Sequence, residues 1–169
     1  MAATIPLLVE HGEQVTTRQI AEAAGVAEGT IFRVFADKDA VITAVIDAAM
    51  DPAPLEEALS ALDAGASFEA VLTQAIELLQ RRTIEIWRLM SSVGPRFHDR
   101  VRRPMTDSPA LVALFEANRD AIAIEPLAAG RYLRALTLST SHPMMTEEPI
   151  PPAQVAALFL RGVSGRSSC

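Results

Sequence analysis

The sequence predicts an all-α chain: a small N-terminal helix-turn-helix head over residues 1–50, then a larger helical domain over 51–169. Three observations predict it. Apolar residues recur at helical spacing along most of the chain, and no stretch alternates apolar and polar residues as a half-buried strand does. Residues 16–39, TTRQIAEAAGVAEGTIFRVFADKD, read as two short helices joined by a glycine turn. Asp51-Pro52-Ala53-Pro54 then breaks the chain and marks the boundary of the head.

Within the head, Ala2 to Glu10 is the remnant of a first helix, with Pro6 near its start and Gly12 ending it. Thr16 caps the second helix, and Gln19 three residues on completes a capping box. Ile20, Ala23 and Ala24 give that helix its apolar face, Ala21 lets another helix cross closely, and Gly25 supplies the positive φ of a tight turn. Val26, Ile31 and Phe35 are expected to plug the third helix into the same core. The spacing of Ala21, Gly25 and Ile31 fits a DNA-binding helix-turn-helix, and it fits an ordinary αα-hairpin as well. Asp37 is the expected N-cap of a fourth helix to Met50, with Val41, Ile42, Val45 and Ile46 as its apolar stripe.

Beyond the break, a short helix is expected from Leu55 to Leu62 and a long one over about 67–93, stopped by Gly94-Pro95. Phe68, Leu72, Ile76, Leu79, Ile86, Trp87 and Met90 lie along one side of the long helix. Arg96, Arg100, Arg102 and Arg103 follow as a basic cluster, read as a solvated connector at the negative end of a helix dipole. Helices from Ser108 to Arg119, from Pro126 to Ser139 and from Pro152 to Val163 complete the chain, and GRSSC is expected to fray.

Composition bounds the function. Half the residues are apolar and the mean hydropathy is +0.22, an excess that suggests a buried oligomer interface or an internal cavity. No run of apolar residues is long enough for a transmembrane helix. The opening MAATIPLLVEHG lacks the basic start of a secretory signal. Cys169, the one cysteine, permits no internal disulfide, which fits the cytoplasm. The charge is −6, and residues 1–50 hold only Arg18, Arg33 and Lys38 against seven carboxylates. That balance argues against a nucleic-acid partner, although all three cations fall inside or beside the motif. Catalysis finds little support. His11, His98 and His142 are far apart, Cys169 has no partner cysteine, and Glu56-Glu57 and Glu147-Glu148 sit on a short helix and a loop. No phosphate-cradling loop or nucleophile elbow is present, so a binding protein without catalytic residues, metal or cofactor is expected.

From Leu7 to Val45, the residues Gly12, Thr16, Ile20, Ala21, Ala24-Gly25-Val26, Gly29-Thr30, Phe35 and Lys38 resemble the N-terminal domain of the TetR family of bacterial transcription regulators. The resemblance implies a ligand-responsive repressor that binds a palindromic double-stranded operator as a homodimer, with no membrane attachment. It places the helix from Glu28 to Phe35, which also carries Phe32, in the major groove. Thr30 and Arg33 are then the candidates for base edges or nearby phosphates, and Thr17, Arg18 and Lys38 for phosphates that set the register. The family usually has tyrosines where Phe32 and Val34 stand, and often a capping serine where Ala27 stands, a loss of roughly 1 kcal/mol. A basic arm and a longer first helix, usual in relatives, are also missing. Met1 is therefore either a truncated start or the start of a weak binder, and the chain as it stands is expected to bind DNA poorly. The alternative is a helical ligand-binding dimer whose head has lost DNA binding.

Two further sites are expected after the head. A dimer would pair Leu133, Leu136 and Thr137 with Val155, Leu158, Phe159 and Gly162 in a four-helix bundle, though the same stripes also suit an intramolecular core. Trp87, Met90, Phe97, Met105 and Phe115 would line a pocket for a small lipophilic ligand, with Arg88 or Arg96 meeting an acidic group, or else would simply fill the core.

Overall fold

The computed structural model describes residues 4–63, 65–101 and 106–163, and every regular element among them is helical. The α-helices are α1 (Thr4–His11), α2 (Thr17–Ala24), α3 (Glu28–Val34), α4 (Lys38–Met50), α5 (Ala53–Ser60), α6 (Phe68–Ser92), α7 (Pro109–Ala117), α8 (Pro126–Ser141) and α9 (Pro152–Val163). Among the described residues, no helix is long and apolar enough to cross a membrane. The chain divides into two compact units.

The first unit holds described residues 4–51 and 85–101, so the head expected over 1–50 is completed by the end of α6 and the 3₁₀ turn Pro95–Val101. Local chemistry sets its helix ends. Thr16 Oγ1 accepts from the Gln19 N–H at 3.2 Å, while Gln19 Oε1 accepts from the Thr16 N–H at 2.8 Å, closing the capping box. Gly25 turns the chain at φ 68°, and the following Val26 N–H donates back to the Ala21 carbonyl at 3.0 Å. Asp37 Oδ1 caps α4 through the Ala40 N–H at 2.8 Å.

Leu8, Val15, Ile20, Ile31, Ile42, Val45 and Ile46 form the core of this unit with Leu89, Met90, Val93 and Phe97. Two sequence expectations fail here. Ala23 and Ala24 are exposed, because α2 ends beside them and the chain turns away at Gly25. Val26 also stays outside, on the surface of that turn. Arg96 is exposed, as a solvated cluster implies, and it is also a clasp: its guanidinium donates to Glu13 Oε2 at 2.7 Å and to Asp39 Oδ1 at 3.0 Å. Gly94 leaves room for that Glu13, whose Oε1 a Cβ at Gly94 would meet at 1.9 Å. Arg102 and Arg103 lie outside the described residues.

The second unit holds described residues 52–63, 65–84 and 106–163. Its first helix begins at Ala53 rather than at Leu55, because Pro54 occupies the first helical turn, where its missing N–H costs nothing. Ser108 caps α7 through the Leu111 N–H at 3.2 Å. Phe115 is wholly buried at the centre, edge-on to Phe68 with centroids 6.0 Å apart and tilted against Phe159 at 5.7 Å. Leu72, Ile76, Leu79, Leu111, Leu133 and Val155 surround it.

That core uses most of the surface expected for a dimer. Leu133, Thr137, Val155 and Phe159 are buried within their own unit, and Leu136 packs against them. An apolar stripe at helical spacing has no mark of which partner it will meet, and here α8 and α9 meet the long helix and α7. Leu158 and Gly162 remain exposed.

The expected pocket residues are divided likewise. Met90 and Phe97 are buried in the first core, with Trp87 half-buried in that unit, whereas Phe115 fills the second. Met105 lies outside the described residues. The four described residues therefore fall in two different units.

Thr137 Oγ1 is buried and has no hydrogen-bond partner among the described residues. Leaving a buried hydroxyl unsatisfied costs about 1–3 kcal/mol, and valine has the same shape without it. Thr137→Val is therefore expected to raise stability by about 1 kcal/mol in urea denaturation followed by circular dichroism. A loss of stability would show that this hydroxyl does have a partner.

Candidate nucleic-acid interface

The candidate surface is built on α3, the second helix of the motif. Ile31 is 6% exposed and anchors the helix in the core, with Phe35 half-buried beyond its end. At about 3.6 residues per turn, this anchoring leaves Gly29 and Arg33 on the opposite side, flanked by Thr30 and Phe32. All four are exposed. Phe32 is 52% and Val34 71% exposed, so the outward surface of a seven-residue helix is strongly apolar around one cation.

Partners distinguish the three cations within residues 1–50. Arg18 Nε donates to Glu22 Oε1 at 3.0 Å, an exposed pair one turn apart. That hydrogen bond from Arg18, with the carboxylate charge behind it, raises the guanidinium pKa above its ordinary value. Solvent screens such an exposed pair, so Arg18 can leave Glu22 at little cost. Lys38 Nζ donates to the Glu13 carbonyl at 2.6 Å and ties the start of α4 to the turn after α1. Arg33 has neither an ion pair nor a hydrogen bond among the described residues.

The remaining expected contacts sit at helix starts. Thr17, first in α2, donates its hydroxyl hydrogen to the Glu28 carboxylate, first in α3. Ala27 occupies the N-cap of α3 without a side-chain hydrogen bond, so the start of this helix is uncapped by any side chain. Gly29 carries part of the family resemblance, and the sequence assigns it no role of its own at the interface. A Cβ built there meets no atom within 4 Å, so neither space nor a positive φ in the fold requires glycine.

Elsewhere, the second unit carries a groove of about 280 Å³ lined by Thr106, Asp107, Ser108, Val112, Leu127, Gly130, Arg131 and Arg134. Arg131 grips Asp107 through two hydrogen bonds of 2.7 and 2.8 Å, and these hold the carboxyl below its ordinary pKa. Arg134 donates to the Thr106 carbonyl. His98 sits on the Met90 carbonyl at 3.0 Å, and no group of three His, Cys, Asp or Glu suited to a metal exists among the described residues.

Residues 1–45 match the model of a family described as bacterial regulatory proteins, tetR family. The fold is similar to the crystal structure of a TetR transcriptional regulator from Streptomyces coelicolor, with a TM-score of 0.62 at 22% identity. That similarity covers 98% of this chain and 97% of the other. No curated protein is a significant match.

Proposed function

We propose, for a chain that belongs to the TetR family of bacterial regulatory proteins, a repressor that binds a palindromic operator as a homodimer and releases it to a small ligand. DNA binding and transcription regulation come with the family. The observation that carries the rest is the outward face of α3, where Arg33, unpartnered among the described residues, stands between Thr30 and Phe32 with Gly29 one turn before it. Arg33 and Thr30 would meet base edges, while Thr17 and Arg18 would meet phosphates once released from Glu28 and Glu22. Lys38 would act near the phosphates while holding the turn at Glu13. Selection from a random-sequence duplex library with the full chain tests this reading, and enrichment of an inverted repeat supports it.

Gly29 supports close approach of a backbone to DNA. In a helix, glycine costs about 0.5–1 kcal/mol relative to alanine, and nothing in this fold requires it. Gly29→Ala is expected to raise stability by about that amount and to weaken binding to the selected duplex. Higher stability with unchanged affinity would separate Gly29 from the interface.

Two heads must meet successive major grooves, about 34–36 Å apart or a multiple of that, which requires a symmetric pair. The surface left for it is the exposed stripe of α9, Gln154, Leu158 and Gly162, with Tyr132, Ala135 and Ser139 of α8. Tyr132 is 60% and Leu158 51% exposed, and a Cβ at Gly162 would meet open space. Leu158→Arg is expected to weaken dimerisation at least about tenfold, since an unpaired charge in an apolar contact costs well over 1.4 kcal/mol. Light scattering across a dilution series reads the shift, and a wild-type monomer at micromolar concentration would remove the dimer. For the ligand, the groove offers apolar Val112 and Leu127, and Arg131 would meet an acidic group only on leaving Asp107.

A second reading, a ligand-binding dimer with an inactive head, is favoured by the partners that Arg18 and Lys38 already have. Absence of any enriched duplex would select it.

A further inference from the structure

We infer that Phe32 reads the C5-methyl group of a thymine in the major groove, selecting an A·T pair by apolar contact. The inference rests on the DNA-binding reading above and names what that site prefers. Phe32 is outside the core of its own unit: Ile31 and Phe35 anchor α3, while Phe32 is turned outward and half exposed. Of the four outward residues it is the large side chain without a hydrogen-bonding group, so neither a phosphate nor a polar base edge is its match. Among base edges in the major groove, the thymine methyl is the apolar group presented there, and aromatic contact with it is an established mode of readout.

Reach is consistent with this assignment. A phenylalanine ring extends only a short way from its backbone, so the helix must approach the bases closely. Gly29, on the same outward side and with open space where a Cβ would stand, permits that approach. Cytosine in place of thymine would lose the methyl and present an amino donor to a ring that cannot accept from it in the plane of the base. Polar readout by Arg33 next in sequence and apolar readout by Phe32 are thus complementary on one surface.

The test uses the full chain and the duplex that it enriches from a random library. Each thymine is replaced in turn by deoxyuridine, which removes only the C5-methyl, and affinity is read by fluorescence anisotropy. One replacement in each half-site is expected to weaken wild-type binding about fourfold, the effect of one buried methyl-sized group. Phe32→Ala should bind the thymine duplex more weakly and be indifferent to that replacement, while Phe32→Leu should retain part of the sensitivity. Thermal unfolding of both variants should match wild type, since the ring is outside the core. Indifference of the wild type to every deoxyuridine, or equal sensitivity in Phe32→Ala, overturns the inference and leaves the DNA-binding reading intact. A change of oligomeric state in Phe32→Ala would assign the ring to protein contact instead and overturn it too. Failure to enrich any duplex overturns both.

Discussion

Phe115→Ala is expected to destabilise the chain by about 3–5 kcal/mol, the range for deleting a fully buried phenylalanine. Phe115 has no exposed surface, and its ring joins Phe68 of α6 to Phe159 of α9 from its own place on α7. Its removal takes away both ring contacts and the packing of Leu111 and Leu133 around them. Urea denaturation followed by circular dichroism should show the midpoint fall by at least about 1 M, given slopes of about 1–3 kcal/mol per molar for small proteins. The magnitude also separates two roles that the sequence left open. A loss below about 1 kcal/mol would mean that Phe115 borders an empty cavity, as a ligand pocket requires, since a site already hollow has less packing to lose.

Local chemistry was legible in the sequence, and long-range pairing was not. Thr16 with Gln19, and Asp37, announce helix starts because their side chains act on backbone groups three residues away, and Gly25 announces an end because the turn needs its positive φ. The last helix, Pro152–Val163, has the bounds that proline at its start and the apolar stripe predict. Apolar stripes gave the helices but not their partners: Leu133, Thr137, Val155 and Phe159 look equally suited to a dimer and to the core that takes them. Arg96 shows the same limit for charge. Its carboxylates, Glu13 and Asp39, lie 83 and 57 residues away, and nothing near Arg96 in sequence points to either. Gly29 was seen only as part of the family resemblance, since a glycine's lack of a task in the fold becomes visible only when the space around it is known.

At the candidate interface, the motif and its exposed residues were legible, whereas their intramolecular partners were not. Thr17, Arg18 and Lys38 all proved to be engaged within the head, by Glu28, Glu22 and the Glu13 carbonyl. Among the described residues this leaves Arg33 as the cation of the motif that would meet a DNA groove without first giving up a partner. It also lies on the side of α3 opposite buried Ile31, where the helix would enter deepest.

The central claim is that this face of α3 reads DNA, and Arg33→Ala tests it most directly. Affinities of wild type and variant for the selected duplex and for a scrambled one are measured by fluorescence anisotropy across a salt series. Arg33→Ala is expected to weaken specific binding by about 1–3 kcal/mol, the worth of a bidentate contact to guanine. Binding to the scrambled duplex should change far less. Equal losses on both duplexes, with the salt slope shrinking by about one, would move Arg33 to the phosphate backbone. Unchanged affinity for both duplexes at every salt concentration would contradict the account.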